Sequence, residues 1–411
     1  MPEIWRWEPN TGQGVTERLS WYTSIASARA GQEERVRRRE HPRLTIEFSS
    51  VLRDSYEQRL LDAALFDTQA TGWIMPLWWD ACRPNLEPLI GNEVQITGTS
   101  PGFEEIAFRS WRVGQHVVLR KGRLVESFEI TEVGATLVKG EPTPSAEFLA
   151  SEERLTAWPA WGGFLASNVS NPRLSGGVST VGVSFQVEDY IGPTANQLPT
   201  QYKSRDLWDV EPGEGGARID AEIQNLVEVL DGDIGPILVS DVGDRPFVDR
   251  TQRHLLYDRE ATHRYRQWWQ RLGGSARPFW APTWHDDVST LGAFGGEFRA
   301  YWGEPDEIDD LSKAWPRFWN LFYGQQGRND LYVRLRNGAR LPVEIGASFP
   351  EENYEILTTT PVLPDFSRAD AIQVSWLELV RMATDEVTIQ WLTPEVGLWQ
   401  LAMRMVSDDD S

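Results

Sequence analysis

A Pro-x-Trp-x-Asp stretch occurs twice in this chain, as "PLWWD" at residues 76–80 and as "PTWHD" at 282–286. When one local pattern recurs with similar neighbours in the same order, the chain is constrained to build one unit twice. Setting Pro76 on Pro282 lays Asp54–Asp80 without a gap over Glu260–Asp286. In the first copy Asp54 stands three residues before Glu57, a capping-box-like helix start, and Tyr56, Leu60, Ala63 and Ala64 follow at helical spacing. In the second copy Tyr265, Trp268, Trp269 and Leu272 repeat that spacing, and Gly273-Gly274 supplies a stop. Each helix then runs through a short loop into the Pro-x-Trp-x-Asp stretch. There Asp80 and Asp286 are expected to accept backbone N–H bonds while the large rings close a sheet edge.

Weaker echoes keep the same order. "WRWEPN" (5–10) matches "WDVEPG" (208–213), "VLRKG" (118–122) matches "RLRNG" (334–338), and "VGVSFQVE" (181–188) matches "IQVSWLEL" (372–379). Leu44, Ile46 and Phe48 alternate with polar neighbours, as do Val181, Val183, Phe185 and Val187, and Val387, Ile389 and Trp391. Such period-two runs predict antiparallel sheets with one wet face, and one helix per copy must cover an apolar face. The expected fold is α+β and mostly β. It consists of two tandem, distantly similar β-sandwich or split-barrel domains, residues 1–200 and 201–411, each with a covering helix. The polar stretch "GPTANQLPTQYKSRD" (192–206) reads as the linker.

Composition narrows the function. A net charge of −21 argues against a general nucleic-acid binder. One cysteine, Cys82, excludes an internal disulfide framework and a Cys-cluster metal site, and points to folding in a reducing cytoplasm. No apolar run reaches membrane-spanning length, and "MPEIWRWEPN" lacks the features of a secretory signal. Lysine is scarce beside arginine, and there are 20 tryptophans. Arginine suits buried or interfacial carboxylate pairs, and Trp with Arg dominates protein–protein hot spots, so extensive protein contact is the reading the composition favours.

Catalytic chemistry finds little footing. His254, His263, His285, Asp286 and Asp287 are the one cluster able to nucleate a metal site, but their spacing fits no standard motif. "DGDIG" (231–235) lacks the later ligands of a calcium loop and reads as a turn. No phosphate loop, nucleophile elbow or Cys–His signature is present. The expectation is a protein that is not an enzyme, with no cofactor and no metal. The alternative is a carbohydrate-binding module in which Trp73, Trp78 and Trp79, or Phe279, Trp280 and Trp284, stack on sugars.

The stretch "SARAGQEERVRRREHPRLTIEF" (27–48) carries a Gly-x-Glu-x-Arg core at Gly31, Glu33 and Arg35. A basic turn, a strand, a helix and an aromatic-Trp-Asp loop follow it. That order resembles the distal tail and minor tail proteins of long-tailed bacteriophages and gene transfer agents, and "RPFWAPTWHDD" (277–287) is similar to loops of multi-repeat phage tail proteins. The resemblance implies a non-enzymatic virion protein of the tail tip or baseplate, assembled in the host cytoplasm. It implies a homo-oligomeric ring joining the tail tube protein to the hub and receptor-binding proteins, with no membrane anchor. Three chains would supply six like domains, or six chains two rings. Acidity suits a conduit through which a genome passes without specific binding. Gly31, Glu33, Arg35, Arg37, Arg38 and Arg39 are the expected interface segment, with Trp78, Asp80, Trp284 and Asp286 as the second element.

Overall fold

The computed structural model describes residues 2–10, 12–27, 33–67, 72–88, 93–98, 110–134, 137–149, 155–172, 178–213, 219–224, 227–231, 237–241, 247–301, 328–351, 354–393 and 395–406. Gly31 and most of "DGDIG" lie outside the described residues. The N-terminal half contains β1 (Glu3–Ile4), β2 (Val15–Ser20), β3 (Thr23–Ser27), β4 (Glu33–Arg37), β5 (Arg43–Leu52), α1 (Ser55–Asp67) and β6 (Trp73–Pro76). It continues through β7 (Pro84–Pro88), β8 (Val94–Gly98), β9 (His116–Lys121), β10 (Leu124–Val133), β11 (Leu137–Glu141), α2 (Ala146–Leu149), β12 (Thr156–Leu165) and β13 (Ser179–Val187). A small hairpin, β14 (Gln201–Tyr202) and β15 (Arg205–Asp206), follows.

The C-terminal half begins with β16 (Asp220–Gln224), β17 (Val227–Leu230), β18 (Leu238–Asp241), β19 (Phe247–Leu256), α3 (Arg259–Leu272) and β20 (Phe279–Pro282). It ends with β21 (Ser289–Phe294), β22 (Glu297–Tyr301), β23 (Asp330–Leu335), β24 (Arg340–Pro350), β25 (Glu355–Thr360), β26 (Phe366–Ser367), β27 (Ala371–Met382), β28 (Glu386–Trp391) and β29 (Gly397–Met405). The fold is α+β and mostly β, and among the described residues every strand pairing is antiparallel except β1 with β6.

One pairing scheme occurs in both halves. In the first, β2, β5, β13, β12 and β6 lie side by side; in the second, β16, β19, β29, β27 and β20 do the same. The long strands β12 and β27 also enter a split barrel. In the first half it runs β12–β9–β10–β11–β8–β7, closed where Cys82 bridges Ala157. In the second it runs β27–β23–β24–β25–β22–β21, closed where the Asp287 and Val288 N–H groups reach the Val374 carbonyl. Each barrel has its own apolar core, around Phe128 and Ile130 in one and Phe298 and Val333 in the other.

Local chemistry repeats as well. The Trp5 N–H donates to the Ile74 carbonyl at 2.9 Å, and the Trp208 N–H donates to the Trp280 carbonyl at 2.8 Å. Asp54 caps α1 through the Tyr56 and Glu57 N–H groups, and Asp258 caps α3 through the Glu260 N–H. Asp54 therefore matches Asp258 and not Glu260, because the second half carries two more residues between helix and short strand. A second correction concerns the strand echo. "VGVSFQVE" lies in β13, whose partner by topology is β29, whereas "IQVSWLEL" lies in β27, the partner of β12. Strand β27 is buried continuously from Val374 to Met382, so its two covered faces give no alternation to align.

The alternating runs bury as their periodicity requires, with Leu44, Ile46 and Phe48 inward on β5 and Val181, Val183, Phe185 and Val187 inward on β13. Helix α1 differs from expectation: Tyr56 is exposed, and the inward face is Gln58 and Leu61. The 192–206 stretch does not behave as a free linker. It buries Leu198, Tyr202 and Asp206, and it packs on α3, where the Asn196 N–H reaches the Gln267 carbonyl and Arg271 Nε meets Asp206 at 2.9 Å. A single core joins both halves, from Trp5, Ile46 and Trp78 to Trp208, Trp269 and Trp399.

Candidate functional site: the junction between the two halves

The halves meet where β28 of the second adds to β2 of the first, in register from Val15↔Trp391 to Ser20↔Glu386. Strand β2 reads Val-Thr-Glu-Arg-Leu-Ser, and its inward positions are Val15, Glu17 and Leu19. A carboxylate on an apolar strand face must be paired, since an isolated buried charge costs far more than its neighbours return. Its partner is Arg266, on the buried face of α3. The guanidinium grips Glu17 with two donors at 2.6 and 2.5 Å, and Trp391 Nε1 donates to the same carboxylate at 2.8 Å. Burial acts to lower the Arg266 pKa, but Glu17 outweighs it and holds the value above the ordinary one.

The Pro-x-Trp-x-Asp stretch of the first half sits against this pair. Trp79 stacks on Trp391, centroids 5.7 Å apart and planes nearly parallel. Asp80 is buried, accepts the Ser110 N–H at 2.8 Å and pairs with Arg259 of α3 at 2.9 Å. His263, one turn along, is pushed down to about 4 by burial and by Arg112 and Arg266, and so stays neutral near pH 7. The space among Trp79, Asp80, His263 and Arg266 is about 30 Å³, room for about one water.

A second contact is made by the β3–β4 hairpin, which rests on the C-terminus of α3. Arg35 pairs with Glu33 beside it at 2.5 Å and reaches the Ser275 carbonyl at 3.3 Å. Arg37 NH1 donates to the Gln270 carbonyl at 3.2 Å, a cation at the negative end of the helix dipole. Arg39 turns back to the Ser20 carbonyl at 3.0 Å, and Arg38 to Ser24 on the exposed side. Gly273 and Gly274 both have positive φ, and a Cβ there would lie 2.6 Å from Arg37 Cδ and 2.6 Å from Asp385 Oδ1. The glycine pair therefore ends the helix and also forms the floor on which the hairpin docks. Asp385, in the turn before β28, accepts the N–H and hydroxyl of both Thr23 and Ser275.

The sequence-predicted interface residues thus fall into two groups. Arg35, Arg37 and Asp80 bridge the two halves of the same chain and Glu33 pairs with Arg35, whereas Arg38 and Arg39 turn back to Ser24 and Ser20 and Trp78 packs inside its own half on Phe48 and Trp158. Trp284 lies apart, buried in the second half against Tyr332 and under the Arg334 guanidinium at 5.2 Å. Asp286 is exposed and accepts the Val374 N–H at 3.2 Å. Trp78, Trp79 and Trp284 are each less than a tenth exposed, and Trp78 and Trp79 form, with Trp158 and Trp391, part of the wall of a cleft of about 300 Å³. Among the described residues no three His, Cys, Asp or Glu side chains converge as a metal site. His254 is buried beside Trp208 and Trp399, whereas His285 is exposed.

Sequence reasoning missed Glu17, Arg266, Arg259, Trp391 and Asp385. Two signals were present: Glu17 falls on the apolar face of an alternating strand, and Arg266 falls on the face that α3 buries through Thr262 and Trp269. A further pair of this kind is Glu378, buried between Arg250 at 2.6 Å and Arg328 at 3.2 Å. The chain matches no protein-family model and no curated protein sequence.

Proposed function

We propose that the chain is a non-enzymatic structural protein of a long-tailed phage or gene-transfer-agent tail tip. In this reading it forms a homo-oligomeric ring between the tail tube and the hub with its receptor-binding proteins. The observation that supports it best is the junction. Two like units are joined head to tail, with β28 and α3 of one against β2 and β3–β4 of the other. A contact between different faces of like units propagates, and it closes into a ring when its rotation allows. Arginine and tryptophan both take part in that contact, through Arg37, Arg266 and the Trp79–Trp391 stack. An acidic chain, at −21, would line a conduit without gripping a nucleic acid passing through it. The virion tail tip would be its location, after assembly in the host cytoplasm.

Light scattering on the purified full chain, with negative-stain images of any large species, tests this reading. Annular particles of one discrete size are expected. A strict monomer at high concentration would count against a self-assembling ring.

A further inference from the structure

Matching the two halves strand by strand shows that the junction uses only one of two complementary pairs of surfaces. The strand equivalent to β2 in the second half is β16, since β2 pairs with β5 as β16 pairs with β19: Leu19↔Leu44 corresponds to Ile223↔Val248. Strand β2 is covered by β28. Among the described residues β16 has no strand on its outer side. Leu19 is accordingly 3% exposed, and Ile223, at the same position, is 64% exposed. The β17–β18 hairpin that follows matches β3–β4, and it leaves Val229, Ile237, Leu238 and Val239 each more than half exposed. An edge strand with an adjoining apolar patch of this kind marks an interaction surface.

The complementary surface is at the other end of the chain's own repeat. In the second half the Ala383 N–H reaches the Ala402 carbonyl, and β28 then lies beside β29. In the first half the Ala166 N–H reaches the Ser184 carbonyl, and Ser170 then bridges Gly182 of β13. Residues 168–172 are therefore the first-half counterpart of β28, with Ser170 at the position of Thr388 and Val169 at that of Val387. Val387 is buried, whereas Ser170 is exposed and Val169 only half-buried. Helix α1 is likewise the counterpart of α3. Where α3 receives the β3–β4 hairpin at its C-terminus, α1 presents Phe66 at 80% exposure.

We infer that copies of this chain join head to tail through these two unused surfaces. Strand β16 and the β17–β18 hairpin of one copy take the 168–172 edge and the C-terminal end of α1 of the next, repeating between chains the contact that joins the halves within one. The occupant is a second copy, because the complementary surface is already displayed by the same chain. The joint is more apolar than the internal one: Ala221 stands where Glu17 does, so the buried ion pair does not recur. A joint that repeats at every unit is what the proposed ring requires, and in that respect the inference rests on that reading.

By the internal register Arg18↔Thr388, Glu222 of one copy faces Ser170 of the next. Both are exposed, so replacing them leaves the fold intact. The double variant Glu222→Cys with Ser170→Cys is expected to give intermolecular disulfides on oxidation, ending at one discrete closed size. Each single variant should give none, and buried Cys82 should stay silent. The variant Arg18→Cys with Thr388→Cys is the positive control, forming the bond within one chain. Ile223→Arg should raise the concentration for half-assembly by roughly tenfold or more, by burying a charge in the joint. Dimers from Glu222→Cys alone would mean that β16 pairs with itself, which overturns the head-to-tail joint. Annular particles without the 222–170 bond overturn the joint and leave the ring standing. Monomers without the bond overturn both.

Discussion

Helices α1 and α3 occupy the same place in the two halves and live in different surroundings. Each starts at a capping aspartate, follows the long strand of its sheet and leads to a short buried strand. Helix α3 buries Thr262, Arg266, Trp268, Trp269, Gln270 and Leu272, and its indoles join a cluster in which Trp208 stacks on Trp268 at 4.7 Å. Helix α1 buries Gln58 and Leu61 and leaves Tyr56 and Phe66 in solvent. The difference comes from position and not from the unit itself: α3 is covered on one side by its own sheet and on the other by the first half, whereas α1 has only its sheet. An exposed face in one copy of a repeat is thus informative wherever the other copy shows what covers it.

The largest effect should come from the ion pair that exists on only one side of this comparison. Arg266→Ala leaves Glu17 charged and buried, and is expected to cost about 3–5 kcal/mol. The matching position on α1 is Asp62, where alanine should change stability by less than about 1 kcal/mol. Urea midpoints of the two variants decide it, and equal losses would mean that the junction is not the stabilised side. Next, Leu19→Ala empties a covered position and should cost about 2–5 kcal/mol, while Ile223→Ala in the dissociated chain should cost about 0.5 kcal/mol or less. A large loss at Ile223 in the monomer would show that the strand is covered within its own chain.

How far this contrast could be read in advance depended on the residue. Strands covered on one face, such as β5 and β13, announce themselves by alternation. Strand β27 does not, because both its faces are buried, and that is why its echo was set against the wrong strand. The helix repeat was legible from its aromatic spacing, yet its register slipped by two residues at an insertion invisible to an ungapped match. Of the arginines expected at an interface, Arg35 and Arg37 of β4 reach the second half, while Arg38 and Arg39 in the turn after it go back to their own. What their chemistry does not reveal is which chain provides the other side: Arg35 and Arg37 meet carbonyls of the same molecule. Glu17 was missed because a single charge on an apolar face gains meaning only when its partner, some 250 residues on, is brought to it.

The halves should also differ in acid. His254 lies on β19, at the place held in β5 by Ser50, whose hydroxyl donates to the Trp7 carbonyl. Burial lowers the His254 pKa to about 4. As pH falls below about 6.5 the unfolded chain takes up a proton that the folded chain refuses until about 4, so stability drops across that window. The loss is up to about 3 kcal/mol at roughly 1.4 kcal/mol per unit. His263 adds to it in the same direction. In His254→Gln the slope of stability against pH between 6.5 and 4 should flatten, and an unchanged slope would mean that the ring is hydrated in the folded protein.

The smallest effect tests the turn that locks the junction. Burial alone would raise the Asp385 pKa, but the four donors from Ser275 and Thr23 outweigh it and hold the value below the ordinary 3.8. A depressed folded value means that the stabilisation is complete above about 3.8 and disappears as pH falls through the folded value. Asp385→Asn keeps the shape, removes the charge and replaces one acceptor by a donor, and should cost about 1–3 kcal/mol at pH 7. As pH falls through the folded value the wild-type carboxyl itself becomes neutral, so the gap between the two proteins should narrow. In the first half the turn equivalent to Asp385 carries Ser167, which is exposed, so Ser167→Ala should be silent at either pH. A gap for Asp385→Asn that stays constant from pH 7 to 3 would mean that the turn is held by its backbone. The lock would then be common to both halves, and the contrast between a covered and an uncovered unit would have to rest on the ion pair and the strand edge alone.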